Sequence, residues 1–347
     1  MVHLRIVAPK EAADQALHLL CELDSVANVI HLPGAAAKPH GDVILCDVAR
    51  EDASVIVSDL RELEIPKKGS IAMEMIDSQL SEGAEYAVRA AKGAPADAVI
   101  WEEVEAQTSE DTELSVSFLV FMVIAMLIAS VGVILDSPIL IIGAMVVGPE
   151  FGPLAGLCVA LVEGRGPLAR RSFLALAAGF PLGVAASVAF VGLLRLTSVA
   201  PGAFDSDESH PLTAFISNPD EFSVIVALCA GVVGVLSLTS TKSGALIGVL
   251  ISVATIPSAA AMGVTAAYAN WEDFGGAALQ LAINLTAIVL AGAATLWLQR
   301  FFFIRRRKKH VMDPSRALAG LPIGRSRRGS IIVETKDLEK SEPAPRG

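Results

Sequence analysis

The sequence predicts an α-helical polytopic membrane bundle of six spans that follows a small α+β domain of the ferredoxin-like type. The first observation is composition, because only 18% of the 347 residues are charged, whereas soluble domains carry about 25%. The second is distribution, because the long apolar stretches all lie between Leu114 and Gln299. We therefore divide the chain into a cytoplasmic domain at 1–80, an acidic helical linker at 81–113, a membrane domain at 114–300 and a basic, largely disordered cytoplasmic tail at 301–347.

The N-terminal domain is predicted from alternating strand and helix patterns over residues 3–77. A short β-type run that starts at His3 ends at Pro9, and a helical stripe of apolar residues follows it as far as Leu23. Two further strands, a second helix and a fourth strand complete a β-α-β-β-α-β order, which is the ferredoxin-like arrangement. Because this fold serves many functions, the domain is either a sensor or oligomerisation module or a structural cap without a ligand.

Six apolar stretches of about 20 residues are long enough to cross a bilayer as helices. They are residues 115–135, 138–162, 172–195, 222–240, 244–268 and 275–299. Lys and Arg gather after the second, fourth and sixth stretches, whereas the loops on the other side are acidic. This bias predicts a multi-pass protein of the cell (inner or plasma) membrane with both termini in the cytoplasm.

The second stretch contains residues that break a helix near its middle. Pro149 and Pro153 each remove a backbone donor and clash with the preceding turn, at a cost of about 3 kcal/mol or more. Gly148 and Gly152 stand beside them and loosen the backbone further. We expect two half-helices that meet at Gly148–Pro153.

The fifth stretch has a similar outline. Ser243 precedes it and can cap it, as Ser137 beside Asp136 precedes the second stretch. Asp136 and Ser137 are the predicted helix cap at the extracytoplasmic side. Pro257 lies near its middle, as the prolines do in the second stretch. Interrupted helices at matching places of an inverted 3+3 repeat indicate a transporter site at the membrane midplane.

Glu150 is the central candidate residue because it lies at the predicted break. A carboxylate at this depth costs several kcal/mol if it is ionised and unpaired, so it must face the protein interior or a wet cavity. The predicted substrate or ion pathway consists of Gly148, Pro149, Glu150, Gly152, Pro153, Thr255, Pro257, Ser258 and Asn284. The alternative is that the prolines only kink their helices, and that Glu150 and Asn284 make structural hydrogen bonds.

The segment Leu135–Pro153, with its Gly-Ala-Met-Val-Val-Gly-Pro-Glu-Phe-Gly-Pro run, resembles the signature of a bacterial membrane family. The family is the uncharacterised hydrophobic domain-of-unknown-function family 389. Residues 41–50 and 101–105 resemble the front domain of its members, and the α+β unit is similar to ACT domains. The resemblance extends to about Arg307 and supports the membrane prediction, but it implies no reaction or substrate.

Two hypotheses of function follow. The first is a transporter or channel for a small solute or ion with a cytoplasmic regulatory or oligomerisation domain, in which Glu150 binds a cation or shuttles a proton. The second is a non-transporting membrane scaffold or receptor with a ligand-sensing cytoplasmic domain. The expected partners are membrane lipids and further copies of the chain in a homo-oligomer.

Other classes of function find no support in the sequence. A Ser/His/Asp set, an H-E-x-x-H motif and a Gly-rich phosphate loop are missing, so we expect no enzyme, no catalytic residues, no metal site and no cofactor. The net charge of −10 is an average over opposite regions and by itself says little about nucleic acid. The bulk of the protein is not expected to bind nucleic-acid phosphates, so we expect no nucleic-acid partner. In the tail, the run Arg327-Arg328-Gly329-Ser330 resembles a basophilic kinase site.

Overall fold

A computed structural model describes residues 1–76, 78–91, 98–202, 204, 213, 216, 220–239 and 247–324. The chain forms two compact units. The first consists of Met1–Glu102 together with Gln299–Gly347, and the second consists of Glu103–Leu298. The two ends of the chain therefore belong to the same unit.

The first unit is built on a four-stranded sheet. Its elements are β1 Val2–Ala8, α1 Lys10–Glu22, β2 Val26–Ala37, β3 His40–Val48, α2 Arg50–Glu62, α3 Ile65–Lys68, β4 Ser70–Met75, α4 Glu82–Ala90 and, after the membrane-type helices, α13 Ser315–Leu318. The strand order is β2-β3-β1-β4, and all neighbours are antiparallel. The predicted order of strands and helices is observed, with the short α3 as an addition.

One face of the sheet carries the core of the first unit. Side chains along β1 alternate, so that Leu4 and Ile6 are fully buried while Arg5 between them is exposed. Leu4 and Ile6 belong to one apolar cluster with Leu19 of α1 and Leu60 of α2. The buried face of β1 therefore packs against the apolar faces of α1 and α2, as the sequence pattern predicts.

Helix α2 is polar in composition but buried on almost all sides. Eleven of its thirteen residues are buried, including Ser54, Asp59 and Glu62. Ser54 accepts a hydrogen bond from the Trp101 backbone N–H at 3.0 Å and donates one to the Glu102 carboxylate at 2.6 Å. A helix with this composition is buried only where its polar groups find partners.

The C-terminal segment supplies most of these partners through an ion-pair cluster of Asp59, Glu62, Arg307, His310 and Arg316. Arg307 lies 2.5 Å from Asp59 and donates to Glu62 at 2.9 Å. Arg316 donates to the same two carboxylates, with 2.9 Å to Glu62. His310 Nε2 lies 2.9 Å from Asp59. Both arginines are buried, with exposed fractions of 1% and 0%, so the cluster is shielded from water.

The electrostatics of the cluster favour the ionised form of Asp59. Burial by itself raises the pKa of this carboxyl group. The hydrogen bond with His310 and the charges of Arg307 and Arg316 outweigh burial, so that the pKa of Asp59 lies below its ordinary value. The carboxylate is therefore charged at neutral pH and holds the two guanidinium groups in place.

The described part of the predicted tail is structured. Residues 301–310 continue a long helix, and Ala319 and Leu321 join the core of the first unit. The basic residues that suggested a solvated tail include Arg307 and Arg316, which are buried because carboxylates of α2 face them. Residues 325–347, with the proposed kinase site at Ser330, lie outside the described part of the chain.

The second unit is helical. Its elements are α6 Val116–Ile134, α7 Pro138–Val147, α8 Phe151–Glu163, α9 Gly166–Leu196, α10 Glu221–Thr239 and α11 Ile247–Ala267, while α5 Trp101–Asp111 and α12 Trp271–His310 run across the boundary between the units. The apolar core of this unit includes Met122, Leu154 and Ile256.

Four helices of the described residues, α6, α9, α10 and α12, are long and apolar enough to cross a membrane. The pair α7 and α8 passes the same test together but is bent by 59°, which gives up to five spans by length and composition. Only 33–50% of each of the four apolar windows is buried, which is compatible with lipid around them. The fifth predicted stretch corresponds to α11, and the six spans and the inverted repeat stay predictions.

Replacing Arg316 with Ala should open the ion-pair cluster, because it leaves two buried carboxylates with one arginine. Breaking a buried pair in this way costs about 3–5 kcal/mol. We expect faster amide hydrogen exchange in α2 and in residues 311–324 of the full chain. The matched control is Arg306→Ala, whose side chain is 30% exposed and pairs with Asp52; it should cost about 1 kcal/mol or less. Equal exchange in both variants would contradict this account of the cluster.

Candidate functional site

The break in the second predicted span lies where the sequence predicts it. Helix α7 ends at Val147 and α8 begins at Phe151. Gly148 has an extended backbone, with φ −60° and ψ 126°, because a residue before proline is disfavoured in the helical region. Pro153 is the third residue of α8, where its missing N–H needs no helical partner. One proline therefore ends the first half-helix, and the other fits the start of the second.

Glu150 occupies the N-cap position of α8 and is completely buried. Its carbonyl oxygen accepts the first helical hydrogen bond, from Leu154 N–H at 3.1 Å. Its side chain belongs to the apolar interior of the second unit, and among the described residues 103–298 it is the one acidic side chain that is buried. A negative charge at the N-terminus of a helix is stabilised by the helix dipole.

Thr255 connects α11 to this carboxylate. Its hydroxyl donates a hydrogen bond of 2.9 Å to Glu150 Oε1, and both residues have no exposed surface. The two residues are 105 positions apart in the sequence. The predicted meeting of the second and fifth stretches at Glu150 and Thr255 is therefore observed as a direct contact.

Gly148 provides the space that the carboxylate occupies. A Cβ atom built on Gly148 would lie 2.5 Å from Glu150 Oε2 and 3.1 Å from Oε1. The same Cβ atom would lie 3.1 Å from Cγ1 of Ile256, the residue after Thr255. The Glu150 side chain thus folds back over Gly148, and α11 closes the space from the other side. The contact of Ile256 could not be predicted from the sequence, because one apolar residue in an apolar stretch looks like its neighbours.

The predicted interruption of the fifth stretch is not observed. Helix α11 is one helix with Pro257 inside it. Pro257 has no glycine directly beside it and no second proline four residues away, in contrast to Pro149. A single proline in a membrane-type helix is tolerated when neighbouring groups satisfy the freed backbone. Ser243, the predicted cap of this stretch, lies outside the described residues. Within the described residues, the resemblance between the two stretches is therefore limited to the proline.

The other predicted pathway residues are buried in α8, α11 and α12. Gly152 and Pro153 are buried in α8, and Ser258 follows Thr255 by one turn at 3% exposure. Asn284 in α12 is 2% exposed and accepts a hydrogen bond of 3.2 Å from Gln280, which the sequence analysis did not single out. The convergence of Ser258 and Asn284 on Glu150 stays a prediction.

The predicted caps at the start of α7 differ from expectation in one respect. Ser137 occupies the N-cap position, but its side chain makes no capping hydrogen bond. Asp136 adopts a positive φ of 46° and accepts a hydrogen bond of 2.9 Å from Thr213. Asp136 thus connects the start of α7 to Thr213, which precedes α10 in the sequence.

The site can accept a proton or a small cation on a carboxylate that protein groups hold in one position. The oxygen ligands at hand are the carboxylate of Glu150 and the hydroxyl of Thr255, which suit hard cations. Among the described residues, no group of three or more His, Cys, Asp or Glu side chains could hold a metal ion.

Comparison with known proteins finds a family model that matches the region of this site. A family model described as "Domain of unknown function (DUF389)" matches residues 145–290, which confirms the resemblance predicted from the sequence. An uncharacterised protein of Methanocaldococcus jannaschii is 27% identical over 222 residues, which cover 62% of this chain and 65% of that protein. The chain thus matches somewhat less than two thirds of the length of that relative. No solved structure matches the chain.

Substituting Gly148 with Ala should disturb the site, because the new methyl group collides with the Glu150 carboxylate. We expect a loss of about 1–3 kcal/mol in stability, as for overpacking in a close-packed core, and a lower melting temperature in detergent. The control is Gly143→Ala in the same helix α7, where a Cβ atom meets nothing within 4 Å. Equal melting temperatures for both variants would show that the carboxylate does not lie over Gly148.

Proposed function

We propose that this chain, whose residues 145–290 match a family of unknown function, is an integral membrane protein that carries a small solute or ion across the cell membrane. In this proposal Glu150 binds the permeant cation or proton at the break between α7 and α8. The observation that carries the proposal is the fully buried Glu150 carboxylate, held by Thr255 at an interrupted membrane-type helix. Burial of an acid at such a depth is expensive, and acids found there commonly serve ion or proton pathways.

The exposed surface of the second unit supports a membrane location. Large apolar side chains such as Ile139, Phe222 and Leu290 are 81%, 75% and 61% exposed. Soluble proteins do not present exposed apolar surface on so many helices, whereas a bilayer covers it.

An ion pair within the second unit supports a full crossing by α7 and α8. Arg165, just after α8, lies 2.5 Å from Glu105 of α5, which precedes α6. Because α5 is acidic, it belongs outside the hydrocarbon region, on the side where α6 begins. In the proposed topology, the chain leaves this side through α6 and returns to it at Arg165, which favours a span over a re-entrant loop for the bent pair.

The ion-pair cluster of the first unit supports an even number of crossings. Asp59 precedes all membrane-type helices, and Arg316 follows all of them, yet the two are paired in one unit. In the proposed topology, both ends of the chain therefore lie on the same side of the bilayer. With α6, the α7–α8 pair, α9, α10 and α12 as five crossings, an even number requires α11 as the sixth.

The proposed orientation follows from the basic residues. Arg165, Arg170 and Arg171 flank the start of α9, and a basic run ends α12. Lys and Arg near the ends of spans favour the cytoplasmic side. The proposal therefore assigns both termini to the cytoplasm and the turn between α11 and α12 to the outside. Assembly as a homo-oligomer remains an expectation from the sequence.

Glu150→Gln should reduce transport in proteoliposomes that contain the full chain. The neutral amide neither binds a cation strongly nor releases a proton, so we expect at least a tenfold drop, in line with about 1.5–3 kcal/mol for a charged hydrogen bond. The flux probes are H⁺, Na⁺ and K⁺. Thr255→Val, which keeps the shape but removes the donor, should give a smaller drop in the same flux.

Glu272→Gln is the control, because this carboxylate is exposed in the first turn of α12. Wild-type flux from a folded Glu150→Gln protein would refute the role of Glu150. Absence of flux in the wild type, together with tight binding of a small ligand to the intact chain, would favour the scaffold or receptor instead.

Labelling of single cysteines tests the six-span topology. In a background without the four native cysteines, Arg170→Cys and Lys309→Cys should react with an impermeant reagent from one side. Val199→Cys and Trp271→Cys should react from the other, and all four positions are exposed. If α11 and the α7–α8 pair did not cross, positions 170 and 309 would be labelled from opposite sides, which would contradict the proposed topology.

A further inference from the structure

A groove lies at the C-terminal end of α9, and Arg170 lies near the opposite end of this helix. The groove has a volume of about 730 Å³, and its lining includes Gly192, Leu193, Arg195, Leu196 and Gly202. Apart from the arginine, these residues are small or apolar. The groove therefore combines one strong cation with a surface that suits hydrocarbon.

The groove opens on an exposed, apolar side of α9. Ala189, Gly192, Leu193 and Leu196 follow the i, i+3, i+4, i+7 spacing of one helical face. Leu193 and Leu196 are 57% and 86% exposed, whereas Val191 between the lining positions is fully buried. The groove thus continues the exposed apolar face of the helix.

Arg195 is held in place by only part of its side chain. Its Nη1 donates to the carbonyl oxygen of Ala267 at the end of α11, and its guanidinium lies 4.4 Å from the centre of the Tyr268 ring. Within the described residues, Nε and Nη2 have no hydrogen-bond partner, and no carboxylate pairs with this arginine. The end of α11 accounts for one nitrogen, and the other two are available to a ligand.

The tyrosine beside the arginine belongs to an aromatic pair at this end of the bundle. The Tyr268 hydroxyl donates to Pro201 O at 2.7 Å, which fixes the loop that forms one wall of the groove. Phe204 stacks on Tyr268 with 5.4 Å between ring centres. Amphipathic aromatic residues beside arginine are typical of the level of lipid headgroups.

We propose that this groove binds the phosphate headgroup of an anionic membrane lipid. Arg195 contacts the phosphate through Nε and Nη2, a fork geometry that suits phosphate oxygens. The acyl chain lies along Leu193 and Leu196. A soluble anion would satisfy the arginine, but it would leave the exposed leucines of the groove without a partner, which favours the lipid. The inference requires the membrane location and is independent of any flux through Glu150.

The test measures lipid retained by the purified full chain. After equilibration in mixed micelles with equal amounts of phosphatidylglycerol and phosphatidylcholine, native mass spectrometry counts the bound lipids. Wild-type protein should retain phosphatidylglycerol in preference. Arg195→Gln should lower that retention about tenfold, as expected for loss of a charged hydrogen bond, and Arg195→Lys should lower it less.

Two matched controls distinguish lipid binding in the groove from a general attraction between exposed arginines and anionic lipid. Arg170→Gln removes an exposed arginine from the other end of α9 and should leave the preference unchanged. Gly192→Leu fills the groove while Arg195 stays, and it should reduce retention; a Cβ atom there meets nothing within 4 Å, so the fold tolerates it. Gly192→Ala should change little.

Several results would overturn the proposal. They are equal retention of the two lipids by the wild type, no effect of Arg195→Gln, or an equal effect of Arg170→Gln. Displacement of the lipid by millimolar inorganic phosphate would also overturn it, because it would identify a site for a soluble anion instead. None of these outcomes depends on whether Glu150→Gln alters flux.

Discussion

The structure of the second unit depends on the cost of a carboxylate in an apolar interior. Glu150 is tolerated there because three features act together: a helix N-terminus beside its charge, a hydroxyl from Thr255, and the space above Gly148. Pro149 creates the helix end that supplies the first of these. The break, the acid and α11 therefore form one arrangement, in which each member contributes to the burial of the carboxylate.

In the first unit, buried carboxylates are tolerated because they are paired with arginines. Helix α2 is too polar to be buried by apolar contacts, and the two arginines of the C-terminal segment neutralise its carboxylates. Such pairs are costly to break although they add little net stability over apolar packing. They join residues from the beginning of the chain and from its C-terminal segment in one unit.

The sequence was informative where local chemistry decides the structure. Alternation in β1, the apolar stretches and the Gly-Pro pair before Glu150 each predicted the observed element. The interruption predicted at Pro257 was wrong, because a lone proline inside an apolar helix bends it less than a Gly-Pro pair with a second proline. The pairing of Asp59 with Arg316 could not be predicted, because no local pattern connects residues 257 positions apart.

Water access to the carboxylate is the most direct measure of the central claim. Thr255→Cys, in a chain without native cysteines, places a thiol beside Glu150 in proteoliposomes. If Glu150 lies on a permeation path, a small impermeant methanethiosulfonate modifies this thiol from at least one side, and the permeant cation slows the reaction. A thiol that stays unmodified from both sides while the protein is folded would show that the acid is enclosed in dry packing, and would contradict the account.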